Sequence, residues 1–120
     1  MENERCVIFD SKEINVEEYP HVSSSTGISN FQQPLLDDKD TGMVIKYLRY
    51  PKGCIIPRHT HTCSHGYYVL KGTLTTSEGD YGPGSFVWFK EGAEMWHGAG
   101  DEDMDAIFIT NKAFGINYLK

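Results

Sequence analysis

The chain has 120 residues. That is enough for one domain whose core buries roughly two-thirds of the surface exposed by the unfolded form. Hydrophobic residues make up 39% and aromatic residues 12%, too many for intrinsic disorder, and no apolar run approaches the ~20 residues needed to span a bilayer. With 17 acidic and 11 basic residues the net charge is -6, which argues against a nucleic-acid partner and against docking on an anionic membrane. The charged start Met1–Arg5 leads into no signal-type apolar stretch, so a cytoplasmic location is expected. Cys6, Cys54 and Cys63 make an odd count without C-x-x-C spacing, which predicts free thiols in a reducing compartment and no disulfide.

The N-terminal part, 1–42, is weakly patterned. Cys6–Asp10 reads as a short strand, Ser23–Gly27 as a polar loop, and Phe31–Asp40, with Pro34 and three aspartates, as a loop. From residue 43 the texture changes. Met43–Tyr50 is rich in β-branched and aromatic residues and stops at Pro51-Lys52-Gly53. Cys54–Ile56, His65–Leu70, Thr73–Thr76, Ser85–Phe89 and Asp105–Thr110 are further strands, and Ile116–Leu119 is a last edge. Glu78-Gly79-Asp80, Tyr81–Gly84 and Gly92 read as turns, and Gly98–Asp103 as a flexible acidic loop. Short strands at spacings of about 8 to 12 residues predict an all-β sandwich or barrel in a single domain, 1–120. No segment keeps a period of 3.6, so little helix is expected.

Of five histidines, His59, His61 and His65 fall within seven residues. In extended chain His59 and His61 point to one face, and His65 shares its face with Tyr67 and Val69. His97 follows the aromatic strand 85–89 and the turn at Gly92, and a loop is expected to bring it to the other three. His21, alone in a loop-like stretch, does not read as a ligand. Neutral imidazole binds zinc, iron, copper and nickel, so four converging imidazoles predict a metal site.

The segment Gly53-x5-His59-x-His61-x3-His65-x6-Gly72 resembles the first motif of the cupin superfamily, with His65 where that motif carries glutamate. The second motif is matched more loosely. Gly84 and Gly92 stand at the right separation, Lys90 replaces a proline, and the histidine arrives as His97, two residues late, with Met95 in its usual place. The resemblance covers 43–112. It implies a jelly-roll barrel (a double-stranded β-helix) with 1–42 as N-terminal strands or an arm. It also implies one divalent transition metal per chain, iron(II) or zinc first and manganese or nickel next. His59, His61 and His97 are ligands by position and His65 by substitution, with a bulge absorbing the two extra residues. A homodimer is implied by the same likeness.

Replacing the glutamate by imidazole raises the site from net +1 to net +2, so an enolate, carboxylate or diketonate would be drawn to it. This is similar to the all-histidine cupin dioxygenases that cleave β-diketones or hydroxylated aryl ketones. Isomerase or lyase chemistry is the milder enzymatic reading, and a small-molecule- or metal-sensing binding module is the alternative without catalysis. Tyr67, Trp88, Trp96, Tyr47 and Arg49 are the expected substrate pocket. Arg49 also reads as one arm of a surface ion pair, and the two tryptophans also read as barrel core. Glu94 and Tyr67 are the candidate acid–base groups, although Glu94 reads first as a solvated turn carboxylate. Arg58 is expected to point away from the ligand face. Cys63 reads as an inert thiol, or as a soft ligand beside the histidines.

Overall fold

A computed structural model describes residues 1–119. Eleven strands form two antiparallel sheets facing each other. They are β1 (Pro20–Val22), β2 (Ser29–Asp37), β3 (Val44–Tyr50), β4 (Ile55–His61), β5 (His65–Lys71), β6 (Leu74–Thr76), β7 (Gly79–Tyr81), β8 (Phe86–Phe89), β9 (Met95–Ala99), β10 (Met104–Thr110) and β11 (Ile116–Tyr118). The larger sheet runs β1-β2-β3-β10-β5-β8 and the smaller β11-β4-β9-β6-β7. Among the described residues, helix is limited to the short turns Ser11–Glu13 and Val16–Glu18. The two-sheet jelly roll is the expected architecture, and none of the described helices is long and apolar enough to cross a membrane.

The core follows from period-two alternation. Leu48 and Tyr50 on β3, Tyr67 and Val69 on β5, Leu74 on β6 and Met95 on β9 point between the sheets, where they join Met104, Ala106 and Phe108 of β10. The opposite face of β3 carries Tyr47 and Arg49. There Arg49 donates from Nε and Nη2 to Asp105, at 2.6 and 2.9 Å, and from Nη1 to Glu17 at 2.9 Å. Tyr47 donates to the same Asp105 carboxylate at 2.6 Å.

Four local expectations are corrected. Cys6–Asp10 is not a strand; only a lone bridge joins Glu2 to Val7, and the chain then turns at Ser11–Glu13. Phe31–Asp40 is largely strand β2 rather than loop. Proline is tolerated because β1 pairs only with Ser29–Phe31, leaving the Pro34 side of β2 an open edge, and the β2–β3 register shifts between Pro34 and Leu36. Residues 79–81 form β7 rather than a turn alone. Finally, His97-Gly98-Ala99 belongs to β9, between β4 and β6, so His97 is held by a ladder and not by a loop.

Gly98 is needed for that ladder. A Cβ there would overlap the Cys54 carbonyl oxygen and lie 2.8 Å from Ile55 Cα. Gly98→Ala is expected to push β9 off β4 and to lower stability by about 2 kcal/mol, read as a lower urea midpoint. An unchanged midpoint would contradict this account of the close approach.

Candidate metal centre

Strand β4 delivers His59 and His61 to the interior, as alternate residues of one strand must be. Opposite them β9 delivers Met95 and His97, also alternate and buried. The β4–β9 register runs Ile56↔His97 and His59↔Met95, so β4 holds one residue more than β9 in this stretch. That bulge spans Pro57 and Arg58 and turns His59 and His97 toward each other. His65 opens β5 on the same inward face as Tyr67 and Val69.

One ring nitrogen from each of His59, His61 and His97 lies within 4.8 Å of the others. The His59 and His97 Nε2 atoms are 3.2 Å apart. His59 Nδ1 donates to the Pro57 carbonyl at 2.6 Å, and His61 Nδ1 to the Gly115 carbonyl at 3.0 Å. A carbonyl only accepts, so both rings carry their proton on Nδ1 and turn the Nε2 lone pair inward. His97 Nδ1 pairs with the Tyr50 hydroxyl at 3.2 Å, and the two rings stack with centroids 5.7 Å apart. His65 is fully buried beside His61, ring centroids 3.9 Å apart. His61 Nε2 and both nitrogens of His65 are buried with no hydrogen-bond partner.

Burial keeps this cluster neutral. It lowers His59, and together with the neighbouring imidazoles it lowers His61 to about 4, His65 to about 3, and His97 well below the ordinary value. Neutral imidazole is the metal-binding form. A buried lone pair without a donor is energetically costly, and a divalent cation would satisfy the one on His61 Nε2, so the donor set of His59, His61 and His97 fits a first-row metal, while His65 lies beside that group and one of its nitrogens carries an N–H.

The cluster borders a cavity of about 380 Å³ between the sheets. His61, His97, Tyr50 and Tyr67 form one end, and Leu48, Phe108, Phe114 and Ile116 form apolar walls. The Tyr67 hydroxyl lies 3.1 Å from His97 Nε2 and 3.2 Å from the Tyr50 hydroxyl. Burial pushes both phenols well up, so they hold their protons. No aspartate or glutamate among the described residues lines this cavity.

Of the residues expected in the pocket, the structure brings only Tyr67 to it. Tyr47 and Arg49 lie on the outer face of the larger sheet, engaged with Asp105. Trp88 is 40% exposed on β8 beside Phe86, and Trp96 points to the face of β9 opposite His97. Parity explains this: the inward residues of 85–89 are Val87 and Phe89, not the pair carrying the tryptophan. Glu94 is exposed and accepts from Arg58 at 3.3 Å, so both face solvent. Cys63 is buried, its thiol pushed up by burial, and it stands outside the three-histidine group. His21 lines the far rim of the cavity. The residues that sequence reasoning missed are Tyr50, Lys46 and Phe114. Tyr50 and Lys46 share the inward parity of Leu48, and that signal was present in the sequence; Phe114 sits in the loop before β11, where no periodicity marks it.

The sequence matches the family model described as the ChrR cupin-like domain over residues 11–115. No curated protein matches it. Among solved structures it is similar to a candidate sugar phosphate isomerase from Acidithiobacillus ferrooxidans, with TM-score 0.75 and 23% identity over 97% of this chain and 83% of that one. It is also similar to an RmlC-like cupin protein from Ralstonia eutropha, with TM-score 0.72 and 21% identity over 98% and 73%. A polyketide cyclase from Streptomyces resistomycificus follows, with TM-score 0.65 and 18% identity over 76% and 71%. At such identities the likeness carries the fold and not the chemistry. The family match, in contrast, runs from the first turn to the loop before the last strand, and this chain therefore belongs to the ChrR cupin-like domain family.

Proposed function

We propose that this protein is a metal-dependent enzyme that cleaves a small chelating organic anion with dioxygen, a β-diketone or hydroxylated aryl ketone being the substrate class. The metal is one iron(II) per chain, held by His59, His61 and His97 with His65 as the fourth ligand. The observation that carries this reading is the inward lone pairs: Nδ1 of His59 and His61 is tied to backbone carbonyls, which turns both Nε2 atoms inward, where that of His59 meets only His97 Nε2 among the ring nitrogens and that of His61 is buried without a partner. Zinc, manganese or nickel would also fit the donors, but zinc has no redox chemistry. Iron(II), when bound, would supply the reactivity toward dioxygen.

The chain's own residues do the rest. Four neutral imidazoles leave the full dipositive charge of the cation uncompensated, which favours a bound enolate or carboxylate. The apolar walls exclude water. Tyr50 and Tyr67 keep their protons and serve as donors rather than bases. Without a lining carboxylate, isomerase and lyase chemistry lacks its usual general base. Oxygenative cleavage of R–CO–CH2–CO–R′ by one O2 to R–COOH and R′–CO–CHO balances without one.

The test is oxygen uptake by iron(II)-reconstituted protein offered β-diketones and hydroxyacetophenones. One O2 consumed per substrate cleaved is expected. Tight binding of metal and ketone without uptake would replace this reading with a binding module. A second expectation concerns Tyr50. Tyr50→Phe removes the nearer of the two hydroxyls at His97 Nδ1, leaving that of Tyr67 at 3.4 Å, and should weaken zinc binding by about tenfold, measured by chelator competition. Unchanged affinity would show that Tyr50 does not orient His97.

A further inference from the structure

We propose that Lys46 is the second anchor of the cavity, binding an anionic group, a carboxylate, at the end of the substrate remote from the metal-chelating end. The inference rests on the proposed metal site and narrows its substrate to a chelating ketone or oxo acid with an apolar spacer and a distal carboxylate.

Lys46 lies on the inward face of β3, two residues before Leu48 and four before Tyr50. At the strand rise of about 3.3 Å per residue, it stands about 13 Å along the strand from the tyrosine that touches His97. It is the only lysine or arginine among the described residues that line the cavity. Its ammonium donates to Gln32 Oε1 at 2.9 Å and lies 5.8 Å from the centre of the Phe114 ring. The same Phe114 ring is 5.1 Å from that of His61, so the ammonium and the metal end share this phenyl ring as a neighbour. No ion pair to Lys46 forms among the described residues, and the Gln32 amide is committed onward to Asn30 Oδ1 at 3.1 Å.

Most lysines in this acidic chain point to water or meet a carboxylate. This one is drawn into an apolar cavity, and burial pulls its pKa down, with Asp37 acting in the opposite sense. A half-buried cation with one neutral acceptor is under-satisfied, and a carboxylate is the complement that restores its bonds. With a dipositive metal at one end, an ammonium at the other and no acidic side chain between, the cavity selects a dianion or a chelating monoanion with a tail. Leu48, Phe108 and Phe114 between the two ends fit a flat apolar spacer.

The test uses the full chain loaded with zinc, a redox-inert probe, and two ligands that chelate alike: benzohydroxamate and 4-carboxybenzohydroxamate. Calorimetry should show the carboxylated ligand binding about tenfold tighter to the wild type. In Lys46→Gln the ratio between the ligands should fall to about one, while Lys46→Arg should keep most of it. Zinc content and thermal midpoint are measured on every variant, so a misfolded protein is recognised. A wild-type ratio of one, or an undiminished ratio in Lys46→Gln, would overturn the assignment while leaving the metal site standing. Failure of benzohydroxamate to bind the wild type better than the His59→Ala/His61→Ala variant would overturn the metal reading, and the two-anchor substrate class with it.

Discussion

His59→Ala/His61→Ala is expected to bind no metal and to show none of the rise in thermal midpoint that zinc or iron(II) is expected to give the wild type. The two rings supply adjacent lone pairs from one strand, each fixed by a carbonyl bond from Nδ1, and they are the part of the cluster with a settled proton. Removing them leaves His97 and His65 as the only imidazoles of the cluster, too few for a tight site. A ligand that binds only the folded state stabilises it by about 2.7 kcal/mol at a hundredfold excess over Kd, and the variant should show none of this. In metal-free buffer the comparison runs differently, because the variant also discards a buried nitrogen that has no partner. Its unfolding midpoint without metal should therefore lie near that of the wild type. Scanning calorimetry of both proteins, with and without metal, separates the two effects. An equal metal-induced rise in both would contradict the ligand assignment.

Asp105→Asn is expected to lower stability by about 3 kcal/mol at neutral pH, in the range measured for breaking a buried ion pair. Asp105 is nearly inaccessible, and its carboxylate takes two bonds from Arg49 and one from Tyr47. An asparagine would set an amide N–H against a guanidinium. The pH dependence has a definite sign. Burial pushes Asp105 up, but the bonds and charge of Arg49 and the Tyr47 hydroxyl outweigh it and hold the carboxyl below 3.8. A carboxyl with a depressed folded pKa contributes stability above its unfolded pKa and loses it as pH falls through the folded value. The gap between wild type and variant should thus be full at pH 5 to 7 and narrow as pH falls below the ordinary carboxyl value of 3.8. Urea denaturation across that range measures it, and a gap that grew on acidification would contradict the account.

How much of this was legible from residues alone varied with the kind of signal. Alternation in 65–70 placed Tyr67 and Val69 on the inner face with His65, whereas in 43–50 the face of Tyr47 and Arg49 was taken for the inner one and Leu48 and Tyr50 are the residues that point into the core. The direction of His59, His61 and His65 followed from the same parity. The strand 85–89 was harder, since Phe86 and Trp88 are aromatic yet face outward at an edge, at 58% and 40% exposure. Hydrophobicity there gives no hint of which side is the core. Arg49 was read toward the pocket because its partner, Asp105, is more than fifty residues away, and a long-range ion pair leaves no local trace. β2 was hidden by Pro34, whose lack of an N–H matters only if the neighbouring strand extends that far. The arrival of His97 from a strand depended on the bulge at Pro57–Arg58, a register feature that neither motif encodes.

The proposed metal site of His59, His61, His65 and His97 is tested most directly by metal content per chain. The protein should be expressed without an affinity tag, purified without chelators, and analysed by mass spectrometry. The account predicts close to one equivalent of a divalent transition metal, iron above all. Less than a tenth of an equivalent, persisting after reconstitution with iron(II), zinc, manganese and nickel in turn, would contradict it.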